Sequence, residues 1–246
     1  MLIGEPPRSG GDLVFPLFGI PVRVHPFFWL IAIMLGVGLA PTLIELLIWT
    51  IAVFLAVLVH EMGHALAMRL FGIEPWVTLY GLGGITSYNP AEAYHLSTWG
   101  NVLISFAGPG VQFALVAAIA GILSASGFEL DIRRWGPVFF VFPAETVVSW
   151  GVTQLLFYTM LVSVLWGAIN LLPVYPLDGG HIARDVLVAA DPQRGITQSL
   201  VLSIVAATAM VVVGVAMRDM FMILMFGFLG YGSYAALQAY RNQRGW

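Results

Sequence analysis

Long apolar runs dominate the chain, and their lengths suit a lipid bilayer. A spanning helix needs roughly 17 to 25 mostly apolar residues, and six such segments are legible. They are about Val24–Ala40, closed by Pro41; Leu43–Phe71, long enough to tilt or project; Val102–Leu123; Gln154–Leu172, closed by Pro173; Thr197–Met217; and Met220–Tyr240, the last two split by Arg218 and Asp219. The intervening stretches, Gly72–Gly100, Ser124–Thr153 and Pro173–Ile196, leave no room for a soluble domain. Within Thr78–Tyr88, β-formers alternate with glycines, which predicts an edge strand able to pair with an extended peptide. The pattern predicts an all-α polytopic membrane protein: six transmembrane helices, a small membrane-associated β-hairpin or sheet, and one membrane-embedded domain over residues 1–246.

Composition agrees. The chain is 59% apolar and only 9% charged, with a mean hydropathy of +0.90, whereas soluble domains carry about 25% charged residues. Net charge is −3 and all ten basic residues are arginine, which gives no basic patch and excludes nucleic acid as a partner. There is no cysteine, so neither a disulfide framework nor thiolate chemistry is available. The start, MLIGEPPRSGGDLVFPLFG, lacks the charged, apolar and small-residue order of a signal peptide and reads as an irregular lead-in.

Arginine placement sets the orientation. With six spans, Arg8, Arg23, Arg69, Arg184, Arg194, Arg241 and Arg244 share one side, while Arg133, Arg134 and Arg218 take the other. Both termini are therefore expected in the cytoplasm. The second and fourth spans then run inward, bringing His60–His64 and Pro173–Gly180 to similar depth. Glu45 and Arg69 read as interfacial anchors of the second span, Arg133-Arg134-Trp135 and Trp150 as interface contacts outside, and His25 and His95 as structural.

Candidate chemistry is concentrated in VLVHEMGHALAM, Val57–Met68. His60 and His64 are four apart, so on a helix they lie on one face and can bind one metal ion. Glu61 lies one step around, near the open position of such a site without being a ligand. HExxH is the pattern in which two imidazoles hold zinc and the glutamate acts as general base. A plain pair of buried, hydrogen-bonded histidines is the blander reading, but polar groups at membrane depth point to function. A catalytic zinc takes a third protein ligand. Without cysteine a carboxylate is the natural choice, and Asp178, in NLLPVYPLDGG, is the best placed. Taken alone, Asp178 reads better as the cap of a helix beginning near His181; beside an HExxH short of one ligand it does not.

His60-Glu61-x-x-His64 inside one span, followed by Asn170-x-x-Pro173-x-x-x-Leu177-Asp178-Gly179 near another, resembles the site-2 protease family of intramembrane zinc metalloproteases. Gly19–His25 resembles the short strand before the family's first helix, Gly81-Leu82-Gly83-Gly84-Ile85 its glycine-bearing membrane hairpin, and Ala107-Gly108-Pro109 its AGP element. The resemblance implies that His60, His64 and Asp178 bind one Zn2+ per chain, that Glu61 is the base, and that Asn170 holds substrate backbone or stabilises the oxyanion. It implies attack of a zinc-activated water on a transmembrane segment of a single-span protein, of the anti-sigma factor or membrane-tethered regulator class, in a prokaryotic cell membrane. Only the minimal core is matched, without PDZ or CBS domains. His181 stands where relatives often have arginine; as a fourth zinc ligand it would close the water position. The alternatives are a zinc transporter, which should carry ionisable residues in more spans, and an inactive zinc-binding membrane chaperone, which would have no need of Glu61.

Overall fold

The computed structural model describes residues 5–244 except Leu82 and Pro137, so Leu82 of the expected glycine-bearing hairpin lies outside the described residues. Close contacts divide the chain in two. Among the described residues, a larger unit holds 5–95 together with Ala107–Ala168, and a smaller one holds Leu96–Phe106 together with 169–244.

The larger unit begins with strands β1 (Leu13–Leu17) and β2 (Ile20–Val24), joined through Phe18 and Gly19, both at positive φ. His25 Nδ1 accepts from Phe27 N–H at 3.1 Å and Pro26 takes the first helical position, which starts helix α1 (Pro26–Gly36). Thr42 and Glu45 form a capping box that opens helix α2 (Leu43–Leu70). Strands β3 (Trp76–Tyr80) and β4 (Gly83–Ser87) follow, then helix α3 (Thr98–Ala125), whose residues from Ala107 belong here. Hairpin β5 (Leu130–Trp135) and β6 (Val138–Pro143) precedes helix α4 (Trp150–Asn170).

The first expected span does not form as one. The expected run Val24–Ala40 is cut at both ends: Val24 belongs to β2, and α1 stops at Gly36 after only 11 residues. At 1.5 Å per residue α1 reaches about 16 Å, against a bilayer core of about 30 Å. Five helices among the described residues (α2, α3, α4, and α6 and α7 below) are long and apolar enough to cross a membrane, and this is an integral membrane protein. The first expected span has no helix of that length because its run gives Val24 to the sheet and leaves the helix at Gly36 for a glycine-bearing turn.

The sheet runs β1-β2-β3-β4, with β2 and β3 parallel and the other pairs antiparallel. The α1–α2 hairpin makes the parallel crossover. Its core joins Ile20, Val22, Val24, Val77 and Leu79 to Phe28, Ala52, Ala56 and Val57. Gly36 admits no Cβ beside Trp49 and Leu46, and Trp49 Nε1 donates to Ala32 O at 2.9 Å, which fixes α1 along α2. Arg69 is more than an anchor: it donates to Phe18 O at 2.6 Å and Gly19 O at 2.8 Å, tying the β1–β2 turn to the end of α2.

A strap of residues 5–12 crosses the sheet. Arg23 pairs with Glu5 at 2.9 Å and Asp12 at 3.1 Å, while Thr78 and Trp76 of β3 also donate to Glu5. Burial pushes the Glu5 carboxyl up, but hydrogen bonds from Thr78, Trp76 and Arg23 outweigh it and leave it below its ordinary value. The Ser9 hydroxyl, opposed by burial and helped by Ser9 N–H and Arg23, holds Asp12 down to about 2.

The β5–β6 hairpin was not anticipated within Ser124–Thr153. Phe140 and Phe142 are buried with Val116, Met160 and Val164, while Arg134 lies over the Phe139 ring, 5.6 Å from its centre. His95 Nε2 donates to Phe71 O at 2.8 Å and so closes the loop after α2.

In the smaller unit, helices α5 (Asp178–Ala190), α6 (Gly195–Met217) and α7 (Met220–Arg244) pack in sequence. Val174, Ala207 and Phe226 form the buried centre. Gly195 sits against the Leu187 carbonyl, allowing the sharp α5–α6 turn. The expected break at Arg218–Asp219 is present: Arg218 is left-handed, and Asp219 Oδ1 accepts from Met222 N–H.

Candidate metal centre

In α2 the helical spacing puts His60 and His64 on one face, 3% and 7% exposed, with Glu61 beside them at 5%. Their Nε2 atoms converge to 3.1 Å. Two imidazoles on a tetrahedral zinc at about 2 Å have their nitrogens about 3.4 Å apart, so a shift of a few tenths of an ångström would admit the ion. Two neutral imidazoles with converging nitrogens suit zinc by donor chemistry as well as by spacing.

Glycines bring α2 and α3 together. A Cβ on Gly63 would lie 2.6 Å from Ala107 O, and one on Gly108 would run into the His64 ring. Only two residues without side chains let these backbones meet beside the imidazoles. From α3, Gln112 reaches His60, with Oε1 and Nδ1 3.0 Å apart.

Glu61 faces the sheet. A Cβ on Gly84 of β4 would overlap the Glu61 side chain, lying 2.7 Å from Oε1. Thr86 Oγ1 lies 2.7 Å from Glu61 Oε2, to which it donates. Of the segment Thr78–Tyr88 expected as one edge strand, Thr78–Tyr80 lies in the inner strand β3 and only β4 is an edge of the sheet. Leu79 O accepts from His25 N–H on the β2 side, so Thr78 and Tyr80 turn their polar groups to Ile85 and Gly83. By alternation, the backbone groups of Gly84 and Thr86 point away from the sheet, on the strand that flanks Glu61.

In the smaller unit, Asn170 is buried at the end of α4 and Asp178 is the first residue of α5. Leu177 holds the N-cap position without a side-chain cap hydrogen bond, and Asp178 stands in the first turn. Neither Gly179 nor Gly180 could carry a Cβ: the Leu171 and Leu172 carbonyls crowd the first, the Val174–Tyr175 backbone the second. The segment is pinned further by Ser203, which accepts from Tyr175 N–H at 2.6 Å, and by Ser233, which donates to Tyr175 O at 3.3 Å. His181 packs edge-on to Tyr175, ring centres 5.2 Å apart. One turn on, burial raises the Asp185 carboxyl above its ordinary value against the pull of His181 and Arg184.

Sequence reasoning missed Gln112, Thr86 and the two serines. Gln112 had a signal, as the amide of an otherwise apolar run; Thr86 and the serines had none.

The sequence profile of peptidase family M50 matches residues 48–212, which contain His60, Glu61, His64, Asn170 and Asp178. The chain belongs to peptidase family M50. A zinc metalloprotease of Methanocaldococcus jannaschii is 25% identical over 178 residues, covering 71% of this chain and 44% of its own. Rip3 of Mycobacterium tuberculosis is 28% identical over 193 residues, covering 73% of this chain and 42% of its own. This M50 chain thus spans less than half the length of these curated relatives. A solved structure, a site-2 protease from Methanocaldococcus jannaschii, matches with a TM-score of 0.57 at 23% identity over 92% of this chain and 95% of that one. The fold is shared.

Proposed function

We propose that this M50 protein is a zinc metalloprotease of the site-2 type, cleaving transmembrane segments of single-span proteins such as anti-sigma factors or membrane-tethered regulators. The observation that carries the reading is the convergence of the His60 and His64 Nε2 atoms beside Glu61, next to a strand with an unpaired edge. His60, His64 and Asp178 hold one zinc ion, Asp178 being the carboxylate of the second sequence element that relatives of this kind share. Zinc at these ligands supplies Lewis-acid polarisation of the scissile carbonyl and a water acidified towards a pKa of about 7.

The chain's own residues do the rest. Glu61 takes the proton of the attacking water and returns it to the leaving amine. Thr86 orients the Glu61 carboxylate. Asn170 donates to the oxyanion or to substrate backbone. A helix buries its carbonyls in its own hydrogen bonds, so the substrate must unwind, and the outward groups of Gly84 and Thr86 offer replacement partners. We take β2 and α1 together as the first crossing; the termini then share a side, and the arginine distribution favours the cytoplasm of a prokaryotic cell for both. An inactive zinc-binding relative would have no use for Glu61.

The test separates base from ligands. Purified Glu61→Gln should retain about one zinc per chain while proteolysis falls roughly 10²–10⁴-fold. His60→Ala and His64→Ala should lose both metal and activity, and Asp178→Asn should bind zinc more weakly. Full activity in Glu61→Gln, or unchanged zinc affinity in Asp178→Ala, overturns the assignment.

A further inference from the structure

We infer that Gln112 of α3 is a positioning residue for the metal centre, fixing the His60 imidazole in the tautomer that presents Nε2 as a ligand. The inference rests on the proposed metal site.

Gln112 is fully buried, 0% exposed. A buried amide is costly unless both ends are hydrogen-bonded, and here both are. Gln112 Nε2 donates to Ala56 O at 3.1 Å, and Oε1 lies 3.0 Å from His60 Nδ1. The first contact settles the second. A backbone carbonyl can only accept, so the nitrogen end must face Ala56 and the oxygen end must face the imidazole. An amide oxygen can only accept in turn, so Nδ1 carries the proton. A neutral imidazole protonated on Nδ1 has its lone pair on Nε2, the atom that converges with His64.

The same side chain spans one turn of α2, because Ala56 and His60 are four residues apart. It therefore fixes the rotation of α2 as well as the ring. Room for it is provided from α4, where a Cβ on Gly167 would sit 3.3 Å from Gln112 Oε1. Groups that hold the distal nitrogen of a metal-bound histidine set ring orientation and basicity, and losing one typically weakens metal binding 10–100-fold.

The test uses the full-length protein purified in detergent, with zinc affinity measured by competition against a chromogenic chelator. Gln112→Leu and Gln112→Met remove the acceptor at near-constant volume, and either should weaken zinc about 10–100-fold. Independently, 15N-histidine spectra of the metal-free protein should show the Nδ1–H tautomer for His60, assigned by loss of its signal in His60→Ala, and a mixture of tautomers in Gln112→Met. Unchanged zinc affinity in Gln112→Leu or Gln112→Met while His60→Ala loses the metal overturns the inference and leaves the metal site standing. Unchanged affinity in His60→Ala overturns the underlying metal-site reading, and this inference with it.

Discussion

Glu61 is held by a hydroxyl from a strand 25 residues further along the chain. A hydrogen bond to a charged group contributes about 1.5–3 kcal/mol, and each 1.36 kcal/mol is a tenfold change in rate. Thr86→Val, which keeps the shape, should therefore lower kcat/KM about 10–100-fold with zinc content unchanged; loss of zinc instead would mean that the threonine supports the fold of the site. At this scale the HExxH group was legible because helical spacing is local: four residues fix a face whatever surrounds them. Gln112 and Thr86 were not, because 52 and 25 residues separate them from their partners. Their roles exist only once α3 and β4 have packed on α2. Asp178, proposed as the third ligand, lies between these cases: it is read from an HExxH pair short of one ligand and not from its own surroundings.

Between elements, the α2–α3 contact depends on Gly63 and Gly108. Gly108→Ala places a methyl group on the His64 ring, and such overpacking costs about 1–3 kcal/mol. Thermal unfolding in detergent should move down and zinc binding should weaken. Gly121→Ala in the same helix meets open space and, with alanine's better helix propensity, should be neutral or slightly stabilising. Equal effects at the two positions would remove the steric explanation. The long helices were legible from apolar run length, their ends marked by Pro173 and by Arg218–Asp219. Helix α1 and the β5–β6 hairpin were not. Apolar content cannot tell a buried strand from a short helix, and the burial of Phe140 and Phe142 depends on partners from α3 and α4.

For the whole molecule, the proposed orientation makes a direct prediction. The chain has no cysteine, so single substitutions can be labelled without background. Tyr94→Cys and Gln243→Cys should react with an impermeant maleimide only from the cytoplasmic side, and Arg134→Cys only from outside. External labelling of Gln243→Cys would overturn the arrangement. The strap over the sheet adds a pH dependence. Glu5 and Asp12 have lowered pKa values in the folded protein, so their contribution is complete above their unfolded values of about 4 and is lost as pH falls through the folded ones. Protease nicking within residues 5–12 should therefore rise from about pH 4 towards about 2 and be present already at neutral pH in Arg23→Ala. A strap equally protected at pH 7 in that variant would show that the ion pairs do not hold it.

The brevity of α1 has a consequence for the lipid. Leu30, Ile33, Met34 and Val37 face outward, yet the helix offers only about half the height of a bilayer core. Acyl chains against it must shorten or splay, a local hydrophobic mismatch. A guest helix crossing that dimple would lose part of its apolar cover and admit water to its backbone before meeting any catalytic group. In vesicles of graded phosphatidylcholine chain length, cleavage should be fastest in the thinner membranes, where the dimple costs least. A rate indifferent to thickness would mean that the guest enters along some other flank.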